Sequence, residues 1–256
     1  MADAPILRIH LAGSVVLEGG DVVIRQDGFP GRQGRLAFAM LAAERTRAIH
    51  REELADELWA GHPPSAWETA LRAIVSKLRS LLSGIGLDGD PIPSALGCYQ
   101  LRLPSDAWVD VEAADDAVHR SEAAMRAGDA GQAMGWALVG NAIARRPFLS
   151  GEDGPFAERW RGRLNEIRIR CLDVRARTLL DRGDFGLAAR DAEIALALAP
   201  YRETAYRLLM RAHVEAGDPA EALRVYERCR ELFVRELGVD PSHETEDVYL
   251  EILRSM

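Results

Sequence analysis

The sequence predicts a mainly α-helical fold: a small α+β domain over residues 1–104, then an all-α domain of helical repeats over residues 105–256. Three observations predict it. Apolar residues alternate with period 2 near the N-terminus. Three helical periodicities joined by tight corners follow, and then a hairpin. Beyond residue 104 every periodic stretch reads as helix, and a Gly-Asp pattern recurs there.

In chain order, Ile6, Arg8 and His10 alternate with Leu7, Ile9 and Leu11 within a stretch of short strands over 5–25. Gly13 and Gly19-Gly20-Asp21 are its turns, and 22–24 is a further strand. Residues 34–45 form a first helix, with Leu36, Met40 and Leu41 on one side. An extended link at 47–49 leads to a second helix over 52–59, with Glu52 and Glu53 in the turn where the helix dipole favours acid. Gly61-His62-Pro63-Pro64 forces a corner, because neither proline can continue a helix. A third helix, 65–82, opens on a capping box, Ser65 with Glu68. A Gly/Asp-rich loop over 84–90 and a hairpin over 91–103, turning near Gly97, complete the first domain.

The third helix carries the functional question. Trp67, Leu71, Ile74, Leu78 and Leu81 form its apolar stripe, while Thr69, Arg72, Ala73, Ser76, Lys77 and Arg79 occupy the rest. No acidic residue lies between Thr69 and Leu87, although the net charge is −8 and Lys77 is the sole lysine. Such a stretch is either a core helix with a solvated basic face or a recognition helix, whose cations reach phosphates and base edges. A tight corner before it and a hairpin after it describe a winged helix-turn-helix, which favours recognition.

In the second domain, Gly128-Asp129, Gly183-Asp184 and Gly217-Asp218 are each followed at one offset by alanine: Ala133, Ala188 and Ala222. Helix, Gly-Asp turn, helix with a small residue at the contact is a tetratricopeptide-like hairpin. The last two copies lie 34 residues apart, and the wider first spacing implies an insertion at 146–155 plus a long helix over 156–182.

Composition narrows the function classes. Residues 1–104 hold 11 basic against 12 acidic side chains, and 105–256 hold 21 against 28, so the second domain is no general nucleic-acid binder. Cys98, Cys171 and Cys229 are widely spaced and odd in number, which suggests reduced thiols in a cytoplasmic protein. There is no basic leader and no apolar run long enough to span a bilayer, so no membrane role is expected. No phosphate-binding Gly-Lys loop, nucleophile elbow or metal-ligand spacing is present, so neither catalysis nor a cofactor or metal is expected.

Residues 32–104 resemble the winged-helix DNA-binding domain of response-regulator type used by the Streptomyces antibiotic regulatory protein (SARP) family, through GRQGRLAFAML, REELADELW, PPSA, VSKLRSLL and GCYQL. Residues 108–256 resemble the bacterial transcriptional activator domain that follows it there, through WVDVEAADDA, RPFLSGEDGPF, APYRETAYRLLMRA and AGDPAEALRVYERCRELFVRELGVDPS. The resemblance implies a cytoplasmic activator that binds double-stranded promoter DNA, often as a homodimer on direct repeats, and contacts RNA polymerase. It implies that Arg72, Ser76, Lys77 and Arg79, with Thr69 earlier on the helix, face groove and phosphates, and that Arg47 and Arg51 approach phosphates. The wing departs from the family pattern, since residues 92–96 hold no arginine. The competing reading is a module that binds no DNA and whose helical repeats hold a protein or small ligand.

Overall fold

The computed structural model describes residues 7–87 and 89–255. The strand start expected at residues 5 and 6 lies outside them, as does Asp88 of the loop after the third helix. The chain divides into two compact units. One comprises the residues up to Ala114 together with Ile143–Leu164, and the other comprises Asp115–Ala142 with the residues from Asn165 onward.

In the first unit, β1 (Arg8–His10), β2 (Val16–Gly19), β3 (Val22–Ile24) and β7 (Trp108–Val109) form a sheet ordered β3-β2-β1-β7. Neighbours pair antiparallel except β1 and β7, which run parallel with Arg8 opposite Trp108. Residues 108–109 were expected to begin a purely helical region. They form a strand instead, because Trp108 N–H donates to the Leu7 carbonyl and the exposed side of β1 is thereby paired. Asp110, the residue that follows, has no exposure; its carboxylate accepts from Leu11 N–H at 2.9 Å and Ala12 N–H at 3.0 Å.

Three helices follow the first three strands: α1 (Gly31–Ala43), α2 (Arg51–Leu58) and α3 (Trp67–Ser83). From Leu36 to Ala42 every residue of α1 is buried, so it is the central helix against which α2 and α3 pack. A second sheet, ordered β4-β6-β5, joins β4 (Ile49–His50), β6 (Cys98–Tyr99) and β5 (Ser94–Ala95). The winged arrangement of three helices and a hairpin is therefore present.

The division expected after Pro104 does not coincide with that between compact units. Residues 143–164 group with the first unit through aromatic burial: Phe148 lies 5.6 Å from Phe156 and 5.4 Å from Trp160, ring centre to ring centre. Trp160 Nε1 donates to Glu44 at 3.2 Å, and Phe156 N–H to Glu57 at 3.1 Å.

Among the described residues the second unit is built of helices. In chain order the hairpins join α4 (Asp110–Arg126) to α5 (Ala130–Ala144), α6 (Pro155–Asp181) to α7 (Phe185–Leu198) and α8 (Glu203–Glu215) to α9 (Pro219–Leu237), followed by α10 (His243–Ser255); the start of α4, the end of α5 and the first part of α6 group with the first unit. At each Gly-Asp turn the glycine is left-handed, with φ of 76° at Gly128, 80° at Gly183 and 83° at Gly217, the conformation that ends a helix at least cost. Ala133, Ala188 and Ala222 are each 0% exposed, so the small residue sits where two helices touch. Ala188→Leu or Ala222→Leu should overpack that contact and lower stability by about 1–3 kcal/mol, read as the midpoint of denaturant unfolding; a variant that melts with the parent would show the alanines to be incidental.

Candidate nucleic-acid interface

Helix α3 starts one residue later than the capping box requires. Its N-cap is Ala66, with no side-chain cap, so the Ser65–Glu68 box does not form. Glu68 is claimed elsewhere: Arg72 Nη2 donates to it at 3.1 Å, and Arg51 lies 3.6 Å from the same oxygen. Leu71, Ile74, Val75, Leu78 and Leu82 are the buried stripe. Trp67 and Leu81, expected in it, are half-buried at its margin, and Val75 and Leu82 take their place.

With about 100° between successive residues, Thr69, Ala73, Ser76 and Ser80 lie along the centre of the opposite side, with Arg72 and Lys77 on its two flanks. All six are exposed. Among the described residues Lys77 makes no hydrogen bond or ion pair, so its charge is available to an outside anion. Arg72 is 67% exposed and holds Glu68 alone. Small side chains between two flanking cations leave the backbone of α3 approachable, which is the shape that a helix entering a groove requires.

Arg79 falls outside this face. On the helical wheel it lies closer to buried Val75 than to Ser76. Its guanidinium donates to the carbonyl of buried Ile92 at 3.1 and 2.6 Å and meets Asp90 at 3.0 Å. It straps the segment that leads into the wing, at Asp90 and Ile92, to α3. Arg79→Ala should therefore cost about 1–3 kcal/mol of stability, whereas Lys77→Ala should stay within about 0.5 kcal/mol of the parent. Equal denaturation midpoints for the two variants would remove the strap.

Arg47 is likewise engaged. It donates to Glu53 at 2.9 and 2.5 Å and to Glu44 at 3.0 Å. The hydrogen bond to Glu53, ahead of the counteracting effect of burial, holds its charge more firmly than that of a free arginine. Two carboxylates already neutralise it. Arg51 stays near the face through Glu68, and its backbone N–H donates to the Gly97 carbonyl at 2.9 Å. That contact sets the wing hairpin beside the start of α2, whose Arg51 side chain lies 3.6 Å from Glu68 of α3. Arg51, Thr69, Arg72, Ser76 and Lys77 thus share the region of α3 and the wing, while Arg47 and Arg79 are committed to structural partners.

The wing adds one residue that spacing did not single out. Ala95 pairs with Cys98, which leaves a two-residue turn, Leu96-Gly97, with φ of 51° and 77°. Asparagine and glycine suit such a turn, and a leucine in the left-handed region is strained. Leu96 is 98% exposed, so nothing in its own chain repays the strain. Leu96→Asn should raise stability by about 1 kcal/mol, measured by thermal unfolding; a loss would mean that Leu96 is held by the fold. A leucine preceding glycine at the tip of a two-residue hairpin is the signal that could have found it.

Burial pushes the thiols of Cys171 and Cys229 up to about 12, so neither is a nucleophile at neutral pH. Among the described residues no three His, Cys, Asp or Glu side chains are grouped to hold a metal, and no helix is long and apolar enough to cross a membrane.

Residues 109–253 match a family model described as the bacterial transcriptional activator domain. The regulatory protein AfsR of Streptomyces coelicolor is 33% identical over 228 residues, which are 89% of this chain and 22% of AfsR. The transcriptional regulatory protein EmbR of Mycobacterium tuberculosis is 28% identical over 247 residues, 90% of this chain and 63% of EmbR. A solved structure of M. tuberculosis EmbR in complex with a low-affinity phosphopeptide matches with a TM-score of 0.86 at 25% identity, covering 98% of this chain and 66% of that one. The chain spans less than two thirds of the length of each of these relatives.

Proposed function

This chain belongs to the bacterial transcriptional activator domain family, and on that premise we propose that it is a DNA-binding activator of transcription. It binds promoter DNA as a pair of copies in the cytoplasm, with α3 in the major groove and the helical unit contacting RNA polymerase. The observation that carries this reading is the exposed side of α3: acid-free from Ala70 to its end, small along its centre and flanked by Arg72 and unpaired Lys77. Phosphates supply the sequence-independent part of such binding and base edges the specific part. Lys77, mid-helix beside Ala73 and Ser76, is assigned the base contact; Arg72 and Arg51 are assigned phosphates, which compete with Glu68 for them.

Selection of the whole chain on a pool of random duplexes, read by sequencing, tests this. Enrichment of one shared motif is expected. Two observations favour a second reading, an interaction module without DNA: Arg47 and Arg79 are occupied by the chain's own acceptors, and residues 1–104 carry no cationic excess. A selection that enriches no motif overturns the first reading in favour of the second.

A further inference from the structure

The wing ends in a leucine that the fold does not use. Leu96 is 98% exposed, with φ of 51°, in the two-residue turn it shares with Gly97. A left-handed backbone is costly for leucine, and strain of this kind is kept where a site needs the residue. Ser94, Ala95, Gly97 and Cys98 are all small, so Leu96 is the one large side chain at the tip. From Pro91 to Leu101 the sequence holds no Asp, Glu, Lys or Arg. Polar groups stand directly behind the turn instead. A Cβ built on Gly97 would lie 3.2 Å from Nε2 of His50 and 3.9 Å from Nε of Arg51, so an imidazole and a guanidinium flank it. Both side chains are nearly half exposed. Their nearest carboxylates, Glu52 at 3.8 Å from His50 and Glu68 at 3.6 Å from Arg51, lie beyond hydrogen-bond distance.

We infer that Leu96 is a wedge that enters the base stack from the minor groove, unstacks one step and bends the duplex, a role that rests on α3 reading the adjoining bases. The shape of the tip selects DNA over protein. A standard protein interface buries roughly 800 Å² per partner, which one leucine among small neighbours does not supply. A base step, by contrast, is opened by a single apolar side chain. The minor groove is about 6 Å wide, and a two-residue turn is narrow enough to reach into it. The surroundings agree. An apolar tip has no charge to hold it on phosphates, and the exposed guanidinium of Arg51 beside it supplies that hold. Arg51 also ties the turn to the reading helix, since its backbone N–H donates to Gly97 while its side chain faces Glu68 of α3. The opened step is a pyrimidine–purine step, the type that unstacks most readily. Wing and helix then share the work: α3 reads base edges, and Leu96 selects for a deformable step at a position that no hydrogen bond reads.

Titration of the whole chain on the selected duplex tests this, with 2-aminopurine placed in turn at each pyrimidine–purine step, because the probe brightens when its step unstacks. For the parent, brightening at one step is expected, together with a bend read as energy transfer between dyes at the duplex ends. Leu96→Asn should melt higher than the parent, yet bind the selected duplex at least about tenfold more weakly and leave it dark and straight. Leu96→Met, which is apolar and of similar reach, should brighten the same step as the parent. More stability with less binding is a combination that a merely structural tip would not give. A parent that binds the selected duplex and brightens no step overturns the inference while leaving the reading by α3 intact. A Leu96→Asn variant that binds and brightens like the parent does the same. A chain that selects no duplex at all removes the reading by α3, and the wedge with it.

Discussion

Asp110→Ala should cost the first unit about 2–5 kcal/mol of stability. The carboxylate is the acceptor for two backbone N–H groups, those of Leu11 and Ala12, which are 0% and 2% exposed. Removing it strands both donors away from water. Asp110→Asn keeps one acceptor and should cost roughly half as much. The two variants also differ from the parent in pH dependence. Burial, opposed by the hydrogen bonds from Leu11 and Ala12 and by the charges of His10 and Arg146, raises the Asp110 carboxyl above the ordinary aspartate value. The folded state then holds this proton more tightly than the unfolded state does. Its contribution is fully present below the unfolded value and is lost as pH rises through the folded one. Denaturant unfolding of parent and Asp110→Asn across that window should converge as pH rises. A constant difference would assign the carboxylate no titration on folding.

The second large effect concerns DNA. Lys77→Ala should weaken binding to the selected duplex by about 1–3 kcal/mol and relax preference at one base pair, because a base contact discriminates. Arg72→Ala should weaken binding to all sequences alike and reduce the salt slope by about one unit, since a phosphate contact releases counterions and reads nothing. Both side chains are exposed and away from the buried stripe, so neither change should unfold the chain. Titration on selected and random duplexes at two salt concentrations separates the two roles. Identical profiles for the two variants would refute this division of labour.

Helix periodicity in the sequence is a local property, and the helices and Gly-Asp turns followed from it. The three turn glycines and the three buried alanines stand where their spacing put them. Features that depend on distant residues did not follow. The two residues of β7 pair with β1 about a hundred positions away, and no two-residue stretch carries a strand signal. Residues 146–155 read as an insertion and 156–182 as a long helix; that Phe148, Phe156 and Trp160 bury with the first unit is a tertiary fact. The capping box failed because Glu68 had competing partners in Arg51 and Arg72.

At the candidate site the exposed side of α3 was legible from spacing alone, whereas the roles of individual arginines were not. The helical wheel puts Arg79 only about 20° from Arg72; its contacts with Ile92 and Asp90, which are tertiary, separate the two. The acids that hold Arg47, at positions 44 and 53, were visible three and six residues away. Leu96 escaped notice because its strain depends on a hairpin register that the sequence leaves open.

The central claim is that the exposed side of α3 reads DNA, and the most direct measurement is a binding titration of the triple variant Thr69→Ala/Arg72→Ala/Lys77→Ala on the selected duplex, with folding checked by circular dichroism. A folded triple variant should bind the selected duplex no more tightly than it binds a random one. If it binds the selected duplex as tightly as the parent does, α3 is not the reading head and the interaction-module reading takes its place.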